Sequence, residues 1–278
     1  MTSIRKKMGL GVLMPALLAG SPIFSGSASA ADVPGEPPIE TEYAQVRVEK
    51  AWQFIVAPYL LGPTITGNTQ IGRLPNTSIN VDTGTILENL RFGAMVHLEA
   101  LYRQRIGLVV DVAYMNLGTA TDGPLANGRL RASVGQLVVE GFAGYRFLSS
   151  DKAWAEVYGG GRYWDNDVKF TGSGTIAGDF SFNPSARWLD PVIGIRGTRF
   201  LTDKWSVMGR ADIGGFGVSS DLTWTLQAGV GYHFNETWSL HMQYKALSVD
   251  YDNGKSGADR FVYDTITHGP LLGVAAKF

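Results

Sequence analysis

Between Phe92 and Arg103 the chain changes character at every step: Phe92, Ala94, Val96, Leu98, Ala100 and Tyr102 fall on one side, with Gly93, Met95, His97, Glu99, Leu101 and Arg103 opposite. A period of two is that of a β-strand with unlike faces. The pattern recurs. Ile106, Leu108, Val110, Val112 and Tyr114 back onto Asp111, and Leu137, Val139, Ala143, Tyr145 and Phe147 onto Gln136, Glu140 and Arg146. Trp224 to Phe234 and Trp238 to Lys245 repeat the arrangement. Two folds satisfy it. A soluble sandwich turns its charged faces to water and packs its apolar faces together; a transmembrane barrel puts the apolar face on lipid and the charged face in the lumen.

Two nearly identical phrases and a third, looser echo help to choose between them. "RFLTDKW" runs from Arg199 to Trp205, "RFLSSDKAW" from Arg146 to Trp154 and "HFNETW" from His233 to Trp238. Each has an aromatic, a short polar turn and a tryptophan. A spanning barrel needs short turns at its periplasmic end and aromatic rings at both water boundaries, where a ring buries its body and wets its edge. The phrases then read as turns flanked by girdle aromatics rather than as duplicated binding sites.

The ends of the chain agree. Arg5, Lys6 and Lys7 precede an uncharged run of 11 residues from Met8 to Leu18, and small residues close at Ala28-Ser29-Ala30. This is the pattern of a secretory signal peptide over 1–30, and the run is too short for a spanning helix, which needs about 20 residues. "VPGEPP" marks residues 31–50 as a stiff periplasmic linker, leaving 51–278 as a single barrel domain. No cysteine occurs, which excludes a disulfide framework, a lipoprotein attachment site and a thiolate metal site. After the signal, 21 bases stand against 25 acids, a net charge of -4 that argues against nucleic acid as a partner.

Walking back from the C-terminus through the short turns predicts strands near 260–278, 237–252, 221–236, 204–218, 186–201, 153–172, 128–148, 105–119 and 91–104, with 52–66 as the tenth. Eight and twelve strands are the alternatives. Residues 67–90 remain as an outer loop, with a small hairpin and a helical turn in "DTGTILENL" capped by Asp82 or Thr83. The expected fold is all-β: an antiparallel transmembrane barrel of about ten strands with a polar, charge-paired lumen.

Several blocks together, "WQFIVAPYLLG", "ILENLRFGAM", "GGGRYW", "DPVIGIRG", "LTDKWSVMGRADIGGFGVSSDLTW", "VDYDNG" and "GPLLGVAAKF", resemble a largely uncharacterised family of Gram-negative outer-membrane β-barrel proteins within the OmpA-like group. The resemblance runs from about Trp52 to Phe278. It implies a cell outer membrane location, with lipid and the barrel assembly machinery as partners, and it carries no catalytic motif onto these positions. The terminal Phe278, with Gly273 five residues before it, resembles the sorting signal that this machinery reads; Leu271, where a polar residue is usual, departs from it.

Projected inward, the alternation gathers Glu99, Asp111, Glu140, Glu156, Asp190 and Asp212 with Arg103, Arg146, Arg162, Arg196, Arg210 and Lys245, and places Lys277 near the periplasmic mouth. Buried charges are costly unless paired and hydrogen-bonded, so a balanced set reads first as a cross-linked filling of a narrow barrel. A lining that selects solutes or ions is the alternative. His97 with Glu99, and His241 with Ser239, lie two apart on one strand face, the minimum for a general-base arrangement in a hydrolase of lipid or peptide. No full constellation surrounds them, and a non-enzymatic barrel is the expectation. "WDND" and "DYDNG" lack the ligand set of a calcium loop, and the "GGG" of Gly159 to Gly161 opens no helix, so it reads as close strand packing. No cofactor or metal is expected. A structural or surface-interaction role follows, with any surface ligand unidentified.

Overall fold

The structure, a computed structural model, describes residues 51–122, 129–173 and 179–278. The expected signal peptide and linker fall outside these residues. In chain order the elements are β1 (Trp52–Leu61), β2 (Thr64–Ile71), β3 (Thr77–Val81), α1 (Thr83–Asn89), β4 (Leu90–Tyr102), β5 (Ile106–Asp122), β6 (Arg129–Ser149), β7 (Ala153–Ser173), β8 (Phe180–Phe182), β9 (Ser185–Phe200), β10 (Trp205–Gly214), β11 (Leu222–His233), β12 (Trp238–Asp252) and β13 (Phe261–Lys277). Antiparallel pairing runs β1-β4-β5-β6-β7-β9-β10-β11-β12-β13 and returns from β13 to β1. The sheet is a closed ten-stranded barrel, the number expected from the alternation. Closure removes the unpaired edges that an open sheet would present.

The joint between first and last strands is completed by the final residue. Phe278 N–H donates to the Phe54 carbonyl at 2.9 Å and Phe54 N–H to the Phe278 carbonyl at 3.2 Å. Short turns connect β4–β5, β6–β7, β9–β10 and β11–β12 at this turn end; the longer connections lie at the opposite, loop end.

The three repeated phrases form three of these turns, and they share a device. In each, a short polar side chain accepts backbone N–H groups that the turn leaves free. Thr202 Oγ1 takes Trp205 N–H at 3.0 Å, Asn235 Oδ1 takes Trp238 N–H at 2.8 Å, and Ser150 Oγ takes Ala153 N–H at 3.1 Å. The aromatics do not all face one way. Trp205, Trp238, Phe234 and Phe147 lie exposed on the outer wall, whereas Trp154 lines the lumen with Arg146 stacked 4.2 Å from its ring centroid. The expectation of girdle rings on both sides of every turn is corrected here. Trp154 lies two residues before Glu156 on β7 and shares its inward face.

The wall is inverted relative to a soluble protein. Leu60, Leu189, Ile193, Leu226, Met242 and Leu272 are exposed, while Glu140, Glu156, Arg162 and Asp190 are buried. The expected hairpin and capped helical turn are present, but the hairpin begins earlier than read: the strand expected over 52–66 divides into β1 and β2, β2 pairs with β3 from Ile65, and Asp82 caps α1 by accepting Thr85 N–H at 3.0 Å. The Asp82 carboxyl is held below its ordinary value by the bonds it accepts from the Thr85 backbone and hydroxyl.

Candidate functional site

Inward positions of neighbouring strands meet at registers that put acid beside base. Glu140 of β6 pairs with Arg162 of β7, and Arg146 with Glu156; Glu156 also pairs with Arg196 of β9. At mid-height the contacts close into a ring. Arg162 donates from Nε to Glu140 Oε1 at 2.7 Å and from Nη2 to Asp212 Oδ1 at 2.8 Å. Arg210 reaches the other oxygen of each acid, Glu140 Oε2 and Asp212 Oδ2, both at 2.8 Å. Two planar forks thus bridge the same two carboxylates, a geometry that arginine supplies and lysine does not. Thr223 and Thr225 accept further bonds from Arg162 at 2.9 and 2.7 Å, and Tyr158 donates to Asp212 at 2.8 Å while accepting from Arg210 Nε at 2.8 Å.

Nearer the turn end, Arg196 joins Glu156 Oε1 to Glu99 Oε2, and Arg146 lies 3.5 Å from Glu99 and 3.9 Å from Glu156. Glu156 is fully buried because two glycines make room for it. A Cβ on Gly144 would collide with its carboxylate, and one on Gly107, the cross-strand neighbour of Gly144, would come within 2.8 Å of Oε2. Asp111 accepts from Tyr59 hydroxyl at 2.7 Å and faces His97 Nδ1 at 3.1 Å, with His97 Nε2 3.7 Å from Glu99.

The remaining projected residues divide. Asp190 is buried but is held by Ser220 N–H and hydroxyl at 2.8 Å each and by Trp188 Nε1 at 3.1 Å, with no arginine on it among the described residues. Lys245 lines the lumen beside Asp111 and Glu140. Arg103 is not in the lumen: it sits exposed in the β4–β5 turn at φ 48, over the Tyr102 ring. The alternation was extended one residue beyond the end of β4, where the turn already controls direction. Lys277 is exposed at the rim, Leu271 is buried inside, and Gly273 sits 3.1 Å, measured from its would-be Cβ, from Tyr59 Cβ.

Toward the loop end the filling changes to rings. Trp164 stacks on Trp188 at 5.5 Å, Trp188 on Tyr251 at 3.9 Å, and Tyr263 meets Trp164 edge-on at 6.3 Å, with Phe261, Val249 and Leu247 packed around them. This aromatic plug was not singled out in the sequence, although Trp164 shares parity with Arg162, and Trp188 with Asp190. Between ring and turn end lies a cavity of about 200 Å³, lined by charged groups of both signs and by Phe142, Met208 and Leu271.

Catalytic groups are present only as pairs. Ser239 Oγ is 2.9 Å from His241 Nε2, and Ser206 Oγ is 3.0 Å from His233 Nε2. Among the described residues neither histidine has a carboxylate within ion-pair distance to orient it, the third member that such nucleophile and base pairs use. His97, flanked by two acids, has no serine on it. Asp252 of "DYDNG" is bonded to Arg260 at 2.7 Å, and Gly160 of "GGG" lies against the Gly141 carbonyl with no space for a Cβ.

The sequence matches no known family profile and no curated protein. Solved structures do match. The outer membrane protease OmpT of Escherichia coli aligns over 81% of this chain and 97% of its own at 10% identity, with a TM-score of 0.52. The translocator domain of the autotransporter NalP from Neisseria meningitidis aligns over 84% and 90% at 13% identity with a TM-score of 0.42, and the attachment invasion locus protein Ail of Yersinia pestis over 82% and 98% at 11% and 0.36. At 10% identity the likeness to OmpT is one of fold: this chain is built as an outer-membrane type of β-barrel.

Proposed function

We propose that the chain is an integral protein of a Gram-negative outer membrane, of the broad OmpA-like kind, with a structural or surface-interaction role and no catalytic one. The observation that carries the reading is the inversion of the wall: exposed leucine, isoleucine and valine around a lumen of buried, paired charges. In water that arrangement would expose a large apolar surface; in a bilayer it is the stable one. The turn end faces the periplasm and the loop end the outside, so the rings of Trp52, Phe147, Trp205, Phe234, Trp238 and Phe278 lie at the inner water boundary.

Two features support a surface role over transport. Ionic ring and aromatic plug stand one above the other in the lumen. In addition, β6 and β7 each run for 21 residues, where a tilted spanning strand needs about 9–11. The excess forms a wall outside the bilayer carrying Asp165 and Lys169, with Arg187 of the adjoining β9 bonded to Asp165 at 2.9 Å. Phe278, bonded into the closing joint, is the residue by which the assembly machinery would take the last strand.

Cell fractionation with boiled and unboiled electrophoresis tests the reading. Recovery in the outer membrane, with a heat-dependent shift that is lost or weakened when Phe278 is deleted, is the expected result. Soluble periplasmic protein without a shift would contradict it.

A further inference from the structure

The barrel wall is not uniform around its circumference. β1 is bonded to β4 only as far as the Pro58–Val96 pair. β13 continues past that point in one register, from Lys277 beside Ile55, through Leu271 beside Leu61, to Phe261 beside Ile71 of β2. To β13, β1 and β2 are one strand. On their other edge β2 is taken by β3, while β4 on the loop side of Val96 is bonded to β5 alone. A seam therefore divides the end of β1 past Pro58, with β2 and β3, from the loop-side part of β4. Its position has a cause in the sequence: Pro58 and Pro63 bring no N–H with which to continue a ladder.

α1 covers the loop-side part of the seam. Ile86, almost fully buried, packs with Ile65 of β2 and Met115 of β5, and Thr83 hydroxyl donates to the Gly62 carbonyl at 3.0 Å. Nearer mid-wall the lining is different. Leu61, Pro63, Met95, Ala113 and Met115 line the seam side of a lumenal cavity of about 50 Å³, whose other side is formed by Lys245 with Asp111, Glu140 and Trp164.

Lys245 is the second observation. It is 8% exposed, and among the described residues it has neither a hydrogen bond nor a carboxylate within 4.0 Å. The acids that share its cavity are already served, Asp111 by Tyr59 and His97, Glu140 by Arg162 and Arg210. Its charge is felt by Asp111 and Glu140 across the cavity, but a largely buried ammonium with no hydrogen-bond acceptor is under-satisfied, and an anion in contact with it recovers part of that cost.

We propose that the seam binds a single-chain amphiphile with a carboxylate head, the head against the Lys245 ammonium and the alkyl chain leaving past Leu61 and Met95 into the surrounding lipid. The small cavity admits a carboxylate with a few methylenes and is too small for a glycerophosphate head. An unbranched chain is also the shape that lies along an interrupted ladder. The proposal assumes membrane embedding but stands apart from the surface role.

The test uses the full mature chain in phosphatidylcholine nanodiscs, titrated with cis-parinaric acid and with its methyl ester, each read as fluorescence in excess of empty nanodiscs. A charge-assisted contact predicts that the acid binds about tenfold more tightly than the ester. Lys245→Met should abolish the preference, Lys245→Arg should retain it, and Ala113→Phe, which fills the cavity, should weaken the acid while the heat-dependent shift persists. Equal binding of acid and ester, or a preference that survives Lys245→Met, would overturn the proposal, as would a loss of stability in that variant with the preference intact. If Lys245→Met does not fold, unchanged acid binding by Ala113→Phe overturns it instead. Tighter binding of a lysophosphatidic acid than of parinaric acid would overturn the carboxylate assignment. Failure of membrane embedding is seen separately, as absence of the heat-dependent shift in the native chain.

Discussion

The two halves of the lumen are filled by opposite chemistries. Toward the turn end, arginines and carboxylates hold one another at 2.7 to 2.9 Å in fixed directions; toward the loop end, Trp164, Trp188 and Tyr251 stack face on face, with only the Trp188 Nε1 bond to Asp190 fixing an atom. The difference lies in what each tolerates. An ionic filling depends on every member, because removing one leaves its partners charged and buried. A ring filling depends on volume, and a ring of similar size can replace another at modest cost.

Arg162 should be the most sensitive position in the protein. Arg162→Met leaves Glu140 and Asp212 with one arginine each and should destabilise the folded band by roughly 3 to 5 kcal/mol in urea titration. Arg162→Lys should recover little of that loss, since one ammonium cannot serve both acids and both threonines. Trp188→Ala should cost about 3 kcal/mol through lost packing, whereas Trp188→Phe should recover most of that packing and forfeit only the Nε1 bond to Asp190. Equal recovery by Lys at 162 and Phe at 188 would erase the distinction between the halves.

The smallest effect belongs to neither half. Asp82 lies outside the barrel wall at the start of α1, and its carboxyl is held below the ordinary value by Thr85. Its stabilising contribution is therefore complete above the unfolded value of about 3.9 and is lost as pH falls through the lower folded value. Limited proteolysis in the 67–90 segment should rise below about pH 4 in the native chain and be elevated at neutral pH in Asp82→Ala. Indifference of both to pH would remove the cap from the account.

The barrel was largely legible because alternation is a property of single strands, and a closed ladder needs little beyond correct parity and turns. Ten strands, a hairpin before α1 and the cap at Asp82 all follow from local pattern. The network was legible as a set of inward residues but not as pairs: Asp190 was right in parity, yet its partner Ser220 comes from a loop whose path no alternation describes. Parity also failed where a strand ended, which exposed Arg103, while Trp154, of one parity with Glu156, went against the girdle reading of its turn. The role of Gly107 and Gly144 depends on the offset between two strands and on the side chain of a third, and no single segment contains that information.

The account rests above all on a lumen closed by the Arg162–Glu140–Arg210–Asp212 ring and the rings above it. Purified protein reconstituted in a planar bilayer tests this directly. The predicted result is no stable conductance in the native chain, with fluctuating currents only in variants such as Arg162→Met that open the ring. Reproducible ion-selective conductance of the native chain, with selectivity altered by Arg210 substitutions at unchanged stability, would contradict it and identify the lumen as a pore.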